Sequence, residues 1–350
     1  MSSTLQPHPL TIASESSIEQ LPLLRHILRA PQGVEARIWE SSIAATLQEF
    51  LLRPGKHFRA ELVRLSWDLS FPPGMIPPMM PELLPWIVEL LHAGSLIVDD
   101  IEDGSFQRRG KAALHRIVGL PIALNAGNWL YFRAISLIDE LNLSVCCESL
   151  LYRRTLKAVQ SCHEGQALDL SVQVGELHQR EIPGLAYTIS SKKTGSLLGL
   201  AGLLGSIAAN APESLQEALN HFGIRLGVGL QMQNDLCELM GAAGLLKQPE
   251  DLLHGRVTWP WAWASERLSP TVFDHLQNRG LRLTQGIGDA SALANDLLSS
   301  LGSEPQRFVR NWLQQAFEEL EAETKKTWGK SHPTLERIFA EITRLEKRYV

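Results

Sequence analysis

Residues Glu82–Asp103, ELLPWIVELLHAGSLIVDDIED, decide the fold class of this 350-residue chain. From Leu83 to Val98 the apolar side chains recur around the whole circumference of an α-helix rather than along one stripe. This pattern is typical of a helix that is buried on every side. We therefore predict a core helix that ends in four acidic residues, Asp99, Asp100, Glu102 and Asp103.

The acidic end of this helix has two interpretations. At about 100° per residue, Asp99 and Asp103 lie about 40° apart on one helical face. In solvent, like charges at this spacing cost only about a few tenths of a kcal/mol per pair. In a cavity, two carboxylates about 5 Å apart at an effective dielectric near 20 repel by roughly 3 kcal/mol, which a cation must offset. The cluster alone leaves both interpretations open.

A second acidic cluster occurs in QMQNDLCE, residues Gln231–Glu238. Asn234 and Glu238 again lie on one helical face, and Asp235 is next to Asn234. Two such oxygen-rich patches facing one another would hold magnesium, because this ion prefers oxygen ligands.

Paired arginines follow the first acidic cluster closely. Arg108 and Arg109 lie in GSFQRRGKAALH, and His92 lies two turns before the cluster on the same helical face. Planar guanidinium groups beside oxygen-bound magnesium are suited to a diphosphate. An arginine pair alone is usually a surface feature, but beside a carboxylate cluster it indicates phosphate binding.

The composition excludes several classes of protein. A net charge of -5 and a pI near 6.1 offer no basic face for nucleic acid. The four cysteines include no CxxC spacing, so neither a disulfide framework nor a zinc site is indicated. We expect a cytoplasmic protein with no nucleic-acid partner.

The chain as a whole predicts an all-α protein, because apolar residues recur at helical spacing almost throughout and strand-like alternation is nearly absent. Residues 1–17 lack the features of a signal peptide and are predicted to be a loose tail. Residues 18–350 are predicted to form a single helical domain. Breaks between helices are predicted at FPPGMIPPMMPE (71–82), VGLP (118–121), EIPG (181–184) and KQPEDLLHGR (247–256).

The uncharged run from Thr194 to Pro212 is long enough to resemble a membrane span. It contains four closely spaced glycines, a pattern found at membrane helix interfaces and in tightly packed soluble bundles. Since the chain has no second hydrophobic span, we favour a bundle and expect no membrane span. The glycines are Gly195, Gly199, Gly202 and Gly205.

Seven sequence blocks between about Leu51 and Pro260 resemble, in the correct order, those of the trans-prenyl diphosphate synthases, the polyprenyl synthetase family. The blocks are RPGKHFRAELV, LLHAGSLIVDDIEDGSFQRRG, NAGNWLYF, CHEGQALDL, KKTGSLL, GVGLQMQNDLCEL and LLHGRVTWP. The resemblance implies an all-helical bundle around a deep central cavity, with the two acidic motifs on facing helices at its mouth. It usually implies a homodimer as well.

The resemblance also implies a reaction, the magnesium-dependent condensation of isopentenyl diphosphate with an allylic diphosphate. On matching positions, the implied magnesium ligands are Asp99, Asp100, Asp103, Asn234, Asp235 and Glu238. The residues implied to grip the allylic diphosphate are Arg108, Lys193 and Arg256. Those implied to bind isopentenyl diphosphate are Gly55, Lys56, Arg59, His92 and Arg109. Thr194 and Gln231 would face the carbocation and, with Lys193 and Arg108, form the implied catalytic set.

Several positions depart from the family pattern, mainly at the second metal site. Asn234 offers a carbonyl oxygen but no charge, so magnesium should bind there less tightly. His57 stands where arginine is usual, Arg256 where lysine is usual, and Asn128 where aspartate is common. Asp169 matches a position near the metals, although a structural role is an equal alternative for it.

Three functions are therefore considered. An active prenyl diphosphate synthase is preferred over a terpene synthase on the same bundle and over a non-catalytic or regulatory subunit. The implied isopentenyl site favours condensation, and Glu238 and Ala242 do not match the usual terpene-synthase metal spacing.

The length of the product is indicated by the residues one turn before the first acidic cluster, where family members place bulky side chains to shorten it. Here these positions are Gly94 and Ser95. We expect the cavity to be open at that level, with Leu91 a turn deeper and Trp129 near its floor. The expected product is geranylgeranyl diphosphate or longer.

Overall fold

A computed structural model of the chain describes residues 21–55, 58–243 and 250–347. The predicted tail over residues 1–17 lies outside these ranges. Lys56, which was predicted to bind isopentenyl diphosphate, and its neighbour His57 also lie outside them.

The described residues form two compact units. The first contains those within Met1–Lys56 and Leu90–Ala134, and the second contains those within His57–Glu89 and Ile135–Val350. The prediction of a single domain over residues 18–350 stays a prediction.

The first part of the chain combines short and long helices with one hairpin. In chain order the elements are α1 (Leu21–Ile27), α2 (Ala36–Trp39), a π-helical turn (Glu40–Ala44), α3 (Ala45–Leu51), α4 (Phe58–Leu69), α5 (Leu84–Glu102), β1 (Gln107–Arg108), β2 (Lys111–Ala112), α6 (Leu114–Val118) and α7 (Leu120–Ser136). The strands β1 and β2 pair antiparallel, with Gln107 opposite Ala112 and Arg108 opposite Lys111.

The rest of the chain is helical wherever it is described as regular structure. A 3-10 turn (Leu137–Leu141) precedes the long helix α8, and a second π-helical turn (Ser190–Gly195) separates α9 from α10. The helices are α8 (Val145–Ser171), α9 (Ile182–Ile189), α10 (Ser196–Ala208), α11 (Glu213–Ala243), α12 (Glu250–Leu253), α13 (Trp259–Arg267), α14 (Pro270–Thr284), α15 (Ala290–Leu301), α16 (Glu304–Trp328) and α17 (Thr334–Lys347). The predicted all-α class is confirmed, and the hairpin is a small addition to it.

Most predicted breaks coincide with connections between helices. The proline-rich segment 71–82 lies between α4 and α5, and Gly119, with φ of 82°, separates α6 from α7. EIPG marks the start of a helix rather than a connection, because Pro183 lies in the first turn of α9. Proline suits that position, since the first helical N–H groups need no partner within the helix. Residues 247–249 of the fourth break lie outside the described part of the chain, and residues 250–253 of it form the short helix α12.

Side chains of α2 and α7 help to hold the first unit together. The Trp39 Nε1–H donates to the Leu28 carbonyl at 2.8 Å, and its ring lies 5.5 Å from that of Trp129. Arg133 Nε donates to the Ile27 carbonyl at 2.8 Å, which ties α7 to the end of α1. These bonds satisfy helix-end carbonyls that have no partner inside α1.

The core of the second unit is built around α10, which is buried along almost its whole length. Its glycines let neighbouring backbones approach closely. A Cβ built on Gly202 would lie 2.5 Å from the Leu219 carbonyl oxygen of α11, and one on Gly205 would lie 2.3 Å from the Val63 carbonyl oxygen of α4. The glycine spacing in the run Thr194–Pro212 therefore serves helix contacts inside this unit.

In the described part of the chain, none of the helices combines the length and the apolar character needed to cross a membrane.

We expect Gly202→Ala to lower the free energy of unfolding by about 1–3 kcal/mol, because the added methyl group would meet rigid backbone of α11. Thermal unfolding followed by circular dichroism measures the change. Gly184→Ala is the matched control, since nothing lies within 4 Å of a Cβ at Gly184 in α9. That change should be neutral or slightly stabilising. An equal loss of stability in both variants would contradict the helix-contact role of Gly202.

Candidate active site

The acidic end of α5 is closed by a turn that depends on glycine. The Asp103 N–H donates to the Asp99 carbonyl at 2.9 Å, and Gly104 then adopts the left-handed conformation with φ of 65°. The Ser105 N–H donates back to the Asp100 carbonyl at 2.9 Å, as in a Schellman motif. The carboxylates thus collect at the C-terminus of the helix, where the helix dipole is itself negative.

Asp99 and Asp103 are the accessible aspartates of this cluster. Both are partly exposed and lie one turn apart at the end of α5. Asp99 Oδ2 is 3.6 Å from an Arg108 guanidinium nitrogen. Because side-chain charge and helix dipole have the same sign here, a cation is the favoured counter-ion.

Asp100 differs from what was expected of a metal ligand. Its side chain is fully buried, and Oδ1 accepts hydrogen bonds from Nε of Arg108, at 2.7 Å, and from a second nitrogen of the same guanidinium group. Burial raises the pKa of the Asp100 carboxyl, and the hydrogen bonds from Arg108 only partly oppose this shift. Asp100 thus anchors Arg108 beside the acidic cluster.

The turn between β1 and β2 presents Arg109. Arg109, with φ of 54°, and Gly110, with φ of 76°, both have a left-handed backbone, as a type I′ hairpin turn requires. A Cβ built on Gly55 would lie 3.2 Å from Cζ of Arg109, so the guanidinium group packs against the glycine backbone. Two residues predicted to bind isopentenyl diphosphate, Gly55 and Arg109, are therefore neighbours.

The open cavity expected at the level of Gly94 and Ser95 stays a prediction, but Gly94 itself faces α7. A Cβ at Gly94 would lie 2.8 Å from the Gly127 carbonyl oxygen and 3.2 Å from the ring of Tyr131. Gly94 is therefore a close contact between α5 and α7. The spacing of residues in one helix could not show this, because it does not specify which neighbour each face meets.

Other predicted residues of the first unit lie on α5 and α7. Leu91 is buried and His92 is partly exposed. The Ser95 hydroxyl donates to the His92 carbonyl at 2.8 Å and the side chain remains partly exposed. Trp129 packs against Trp39 in the same unit.

In the second unit, a chain of hydrogen bonds joins three predicted residues. The Thr194 hydroxyl donates to Oε1 of Gln231 at 2.9 Å, and Nε2 of Gln231 donates to Oδ1 of Asp235 at 2.7 Å. The backbone N–H of Trp259 donates to Oδ2 of Asp235 at 3.0 Å. Both oxygens of Asp235 are thus held in place by neutral donors.

The charge of Asp235 is poorly compensated. Its side chain is 5% exposed, and burial raises its pKa to about 7, with Asp169 and Glu238 adding to the shift. The hydrogen bonds from Trp259 and Gln231 oppose the change only in part. A buried carboxylate that is costly to ionise gains from a bound cation.

Asp169 brings the two predicted cationic residues of this unit together. Its Oδ2 accepts a hydrogen bond from Nζ of Lys193 at 2.7 Å, and its carbonyl oxygen accepts one from Arg256. Gly165 allows this arrangement, since a Cβ there would lie 2.4 Å from the Lys193 backbone nitrogen. Asp169 therefore positions Lys193 and Arg256, and its place near the metals stays a prediction.

Asp251 is an acidic residue that the sequence analysis missed. Its backbone N–H donates to Oε1 of Glu238 at 2.8 Å. Burial, together with the charges of Glu238, Asp235 and Asp169, raises the pKa of its carboxyl well above the usual range. Nothing in KQPEDLLHGR marks this acid as different from a surface residue, because its neighbours come from distant parts of the chain.

Three other predicted residues have different settings. Asn234 is exposed on α11, and Arg59 is partly buried near the start of α4. Lys56 belongs to the segment that the structure does not describe. Because the two acidic clusters belong to different units, the prediction that they face one another stays a prediction.

Magnesium fits the donor atoms that are present. Within residues 21–55, 58–243 and 250–347, no group of three or more histidine, cysteine or acidic side chains is arranged to hold an ion alone. Each cluster instead offers two carboxylates, Asp99 with Asp103 and Asp235 with Glu238. Magnesium is commonly bound in this way, with substrate phosphates and water completing an octahedral shell of oxygens.

The chain belongs to the polyprenyl synthetase family, whose sequence model matches residues 40–293. This match covers the acidic end of α5, the hairpin, the Asp235 network and the segment that carries Arg256.

Two named relatives are similar to this chain in sequence, and a solved structure is similar to it in fold. The short chain isoprenyl diphosphate synthase of Methanocaldococcus jannaschii is 32% identical over 173 residues, which cover 49% of this chain and 51% of that protein. A geranylgeranyl pyrophosphate synthase of Geoglobus acetivorans is 31% identical over 179 residues, covering 49% and 53%. The matched region thus spans about half the length of these relatives. The polyprenyl synthase of Caulobacter crescentus shares the fold, with a TM-score of 0.74, 22% identity and 96% of both chains covered.

We expect Asp235→Asn to stabilise the metal-free protein at pH 8. The folded-state pKa of Asp235, about 7, exceeds its ordinary value of 3.8, so the folded state binds the proton more tightly. The wild type should therefore lose stability as the pH rises from about 4 to about 7, by on the order of 4 kcal/mol. Asparagine carries no such charge, so the variant should melt about 5 °C higher at pH 8 in EDTA.

Thermal melts at pH 4 and pH 8 check this expectation. The two proteins should differ little at pH 4, where Asp235 is protonated in the folded state. Asp274→Asn, an equivalent change at an exposed position of α14, should leave the pH dependence unchanged. A lower melting temperature for Asp235→Asn at pH 8 would contradict the assigned cost of the buried charge.

Proposed function

We propose that this protein is a magnesium-dependent prenyl diphosphate synthase that condenses isopentenyl diphosphate with an allylic diphosphate and releases diphosphate. Membership of the polyprenyl synthetase family supports the class of reaction. Two relatives are named for the synthesis of isoprenyl and geranylgeranyl diphosphates, and the Caulobacter crescentus protein was solved with calcium and isoprenyl diphosphate.

The observation that carries the proposal is that one hairpin presents two arginines to two different anchors. Arg108 is bound by Asp100 at the acidic end of α5, whereas Arg109 packs against Gly55. Guanidinium groups are well suited to phosphate oxygens. Two separately anchored guanidinium groups fit two diphosphate substrates, which is what a condensation requires.

The first diphosphate in this proposal is the allylic one. Asp99 and Asp103 would hold magnesium on it, and a further ion would be held by Asp235 with Glu238. When bound, magnesium neutralises charge on the diphosphate oxygens. Arg108, Lys193 and Arg256 would add fixed cationic donors for the negative charge that grows as the diphosphate leaves.

The second diphosphate would be that of isopentenyl diphosphate, bound by Gly55 and Arg109 and, by resemblance, by Lys56, Arg59 and His92. Thr194 and Gln231 would direct oxygen atoms towards the allylic carbon. Since released diphosphate can accept the last proton, the reaction needs no dedicated general base from the protein.

Asn234 is the observation that favours a second candidate. It is exposed and uncharged where an acid is usual, which weakens one metal position and invites a terpene synthase that ionises a single diphosphate. Asp235, which is held in place by hydrogen bonds, still offers a carboxylate at this metal site. The second anchored arginine, Arg109, favours condensation over the ionisation of a single diphosphate.

Exposed apolar side chains support a homodimer. Phe132 on α7 is 72% exposed, and on α8 Val145 is 82% and Leu156 53% exposed. Exposed apolar side chains of this size are available for contacts between copies, and the family resemblance usually implies a homodimer. We therefore propose that two copies associate.

The four free cysteines support a reducing, cytoplasmic location.

An assay with labelled isopentenyl diphosphate tests the function, with each allylic diphosphate offered in turn. We expect label in a longer diphosphate.

Arg109→Ala should raise the KM for isopentenyl diphosphate by roughly tenfold to a hundredfold, because a charge-assisted hydrogen bond is lost. The exposed Arg153→Ala on α8 should leave it unchanged. A hydrocarbon or alcohol from the allylic substrate alone would indicate a terpene synthase, and no turnover would indicate a non-catalytic subunit.

We propose geranylgeranyl diphosphate or a longer chain as the product, and Ser95 as the position at which length can be changed. Ser95 is partly exposed, whereas Gly94 is enclosed by α7. Ser95→Phe is expected to shorten the main product, because the ring would occupy space beside the growing chain. Mass spectrometry of the products measures this. Gly94→Phe should instead reduce stability, and an unchanged product distribution in folded Ser95→Phe would exclude Ser95 as the limit.

A further inference from the structure

Arg53 is a fully buried charged side chain next to the hairpin. We infer that Arg53 is a positioning residue that holds the β1–β2 turn so that Arg109 presents its guanidinium group to the diphosphate of isopentenyl diphosphate. This inference rests on the proposed function, and it concerns a residue for which the sequence analysis predicted no role.

The side chain of Arg53 joins α3 to both strands of the hairpin. Nε and one terminal nitrogen donate to Glu49, at 3.1 and 2.9 Å to Oε2. The other terminal nitrogen donates to the carbonyl oxygens of Arg108, at 3.3 Å, and Ala112, at 3.0 Å. These two carbonyls lie on opposite sides of the turn, so one planar guanidinium group fixes both of its ends.

The backbone of Arg53 completes the arrangement. Its carbonyl oxygen accepts a hydrogen bond from a guanidinium nitrogen of Arg109 at 3.4 Å. Arg53 therefore restrains the turn through its side chain and the Arg109 side chain through its main chain. Two residues further along the chain, Gly55 supplies the surface on which the Arg109 guanidinium lies.

Arg109 needs such restraint because of its backbone. A left-handed conformation, here with φ of 54°, is unfavourable for a residue other than glycine and persists only when the surroundings enforce it. Arg108 has a separate anchor in the buried carboxylate of Asp100. Loss of Arg53 should therefore disturb the placement of Arg109 more than that of the Arg108 side chain.

The Arg53 guanidinium group, which is paired with Glu49, contributes more to the position of the hairpin than to the stability of the protein. Burial opposes ionisation of Glu49, but hydrogen bonds from Arg53 and Lys111 lower its pKa overall. Because the Glu49 side chain is 41% exposed, solvent screens this ion pair, and the pair itself contributes little net stabilisation. What an apolar side chain cannot supply is simultaneous hydrogen bonding to the carbonyls of Arg108 and Ala112.

Steady-state kinetics of Arg53→Met and Arg53→Lys test the inference. Methionine keeps much of the side-chain length but none of the donors, whereas lysine keeps the charge without the planar fork. We expect Arg53→Met to raise the KM for isopentenyl diphosphate by roughly tenfold to a hundredfold, and the KM for the allylic diphosphate by less than about threefold. Arg53→Lys should give an intermediate KM for isopentenyl diphosphate, and it provides a milder variant if Arg53→Met folds poorly.

Arg225→Met is the matched control. Arg225 is also a buried arginine that is paired with a glutamate, Glu319, and it lies over an aromatic ring, that of Trp312, as Arg53 lies over Phe50. It belongs to the second unit, whereas Arg53, Gly55 and the hairpin belong to the first. We expect Arg225→Met to lower the melting temperature about as much as Arg53→Met does. It should not raise the KM for isopentenyl diphosphate.

A double-mutant comparison separates the inference from the proposed function. In an Arg109→Ala background, Arg53→Met should raise the KM for isopentenyl diphosphate no further. Additive effects would overturn the positioning role, as would a rise no larger than that of Arg225→Met. If Arg109→Ala alone leaves this KM unchanged, the assignment of the isopentenyl site itself fails.

Discussion

Negative charge collected at the C-terminal end of α5 is the constraint on which the arrangement of the first unit depends. The turn at Gly104 stops the helix where its dipole and its carboxylates have the same sign. Asp100 relieves part of this repulsion by pairing with Arg108, and that pair holds β1 beside the end of α5. Once β1 is fixed, the next residue, Arg109, has to lie in the turn and point to a different anchor.

The second unit handles its buried acid differently. Asp235 receives hydrogen bonds from an amide side chain and a backbone N–H, and the cationic Lys193 is paired with Asp169 instead. The charge of Asp235 therefore remains expensive in the absence of a cation. In the first unit, Arg108 is the counter-ion of the buried Asp100. In the second unit, the hydrogen-bond donors to Asp235 are neutral, so a bound divalent ion would stabilise its charge more.

Glycine and arginine contribute to this protein in complementary ways. Gly55, Gly165 and Gly202 remove side chains so that a guanidinium group or a neighbouring backbone can approach closely. Arg53 and Arg108 then use their planar donors to tie separate segments together. The two arginine anchors of the hairpin are the physical reason to prefer a reaction with two diphosphates over the ionisation of one.

The sequence by itself determined the all-helical class, most of the breaks between helices, the family, and the residues that carry charge, because helical periodicity and ordered motifs are properties of neighbouring positions. It also indicated that Gly55 and Arg109 belong to one site. Only the tertiary structure decided that Asp100 is buried against Arg108, that Gly94 is a helix contact, and that Arg53 and Asp251 have close partners far along the chain. Burial and hydrogen bonding depend on what each helical face meets, and spacing along one helix carries no information about that neighbour.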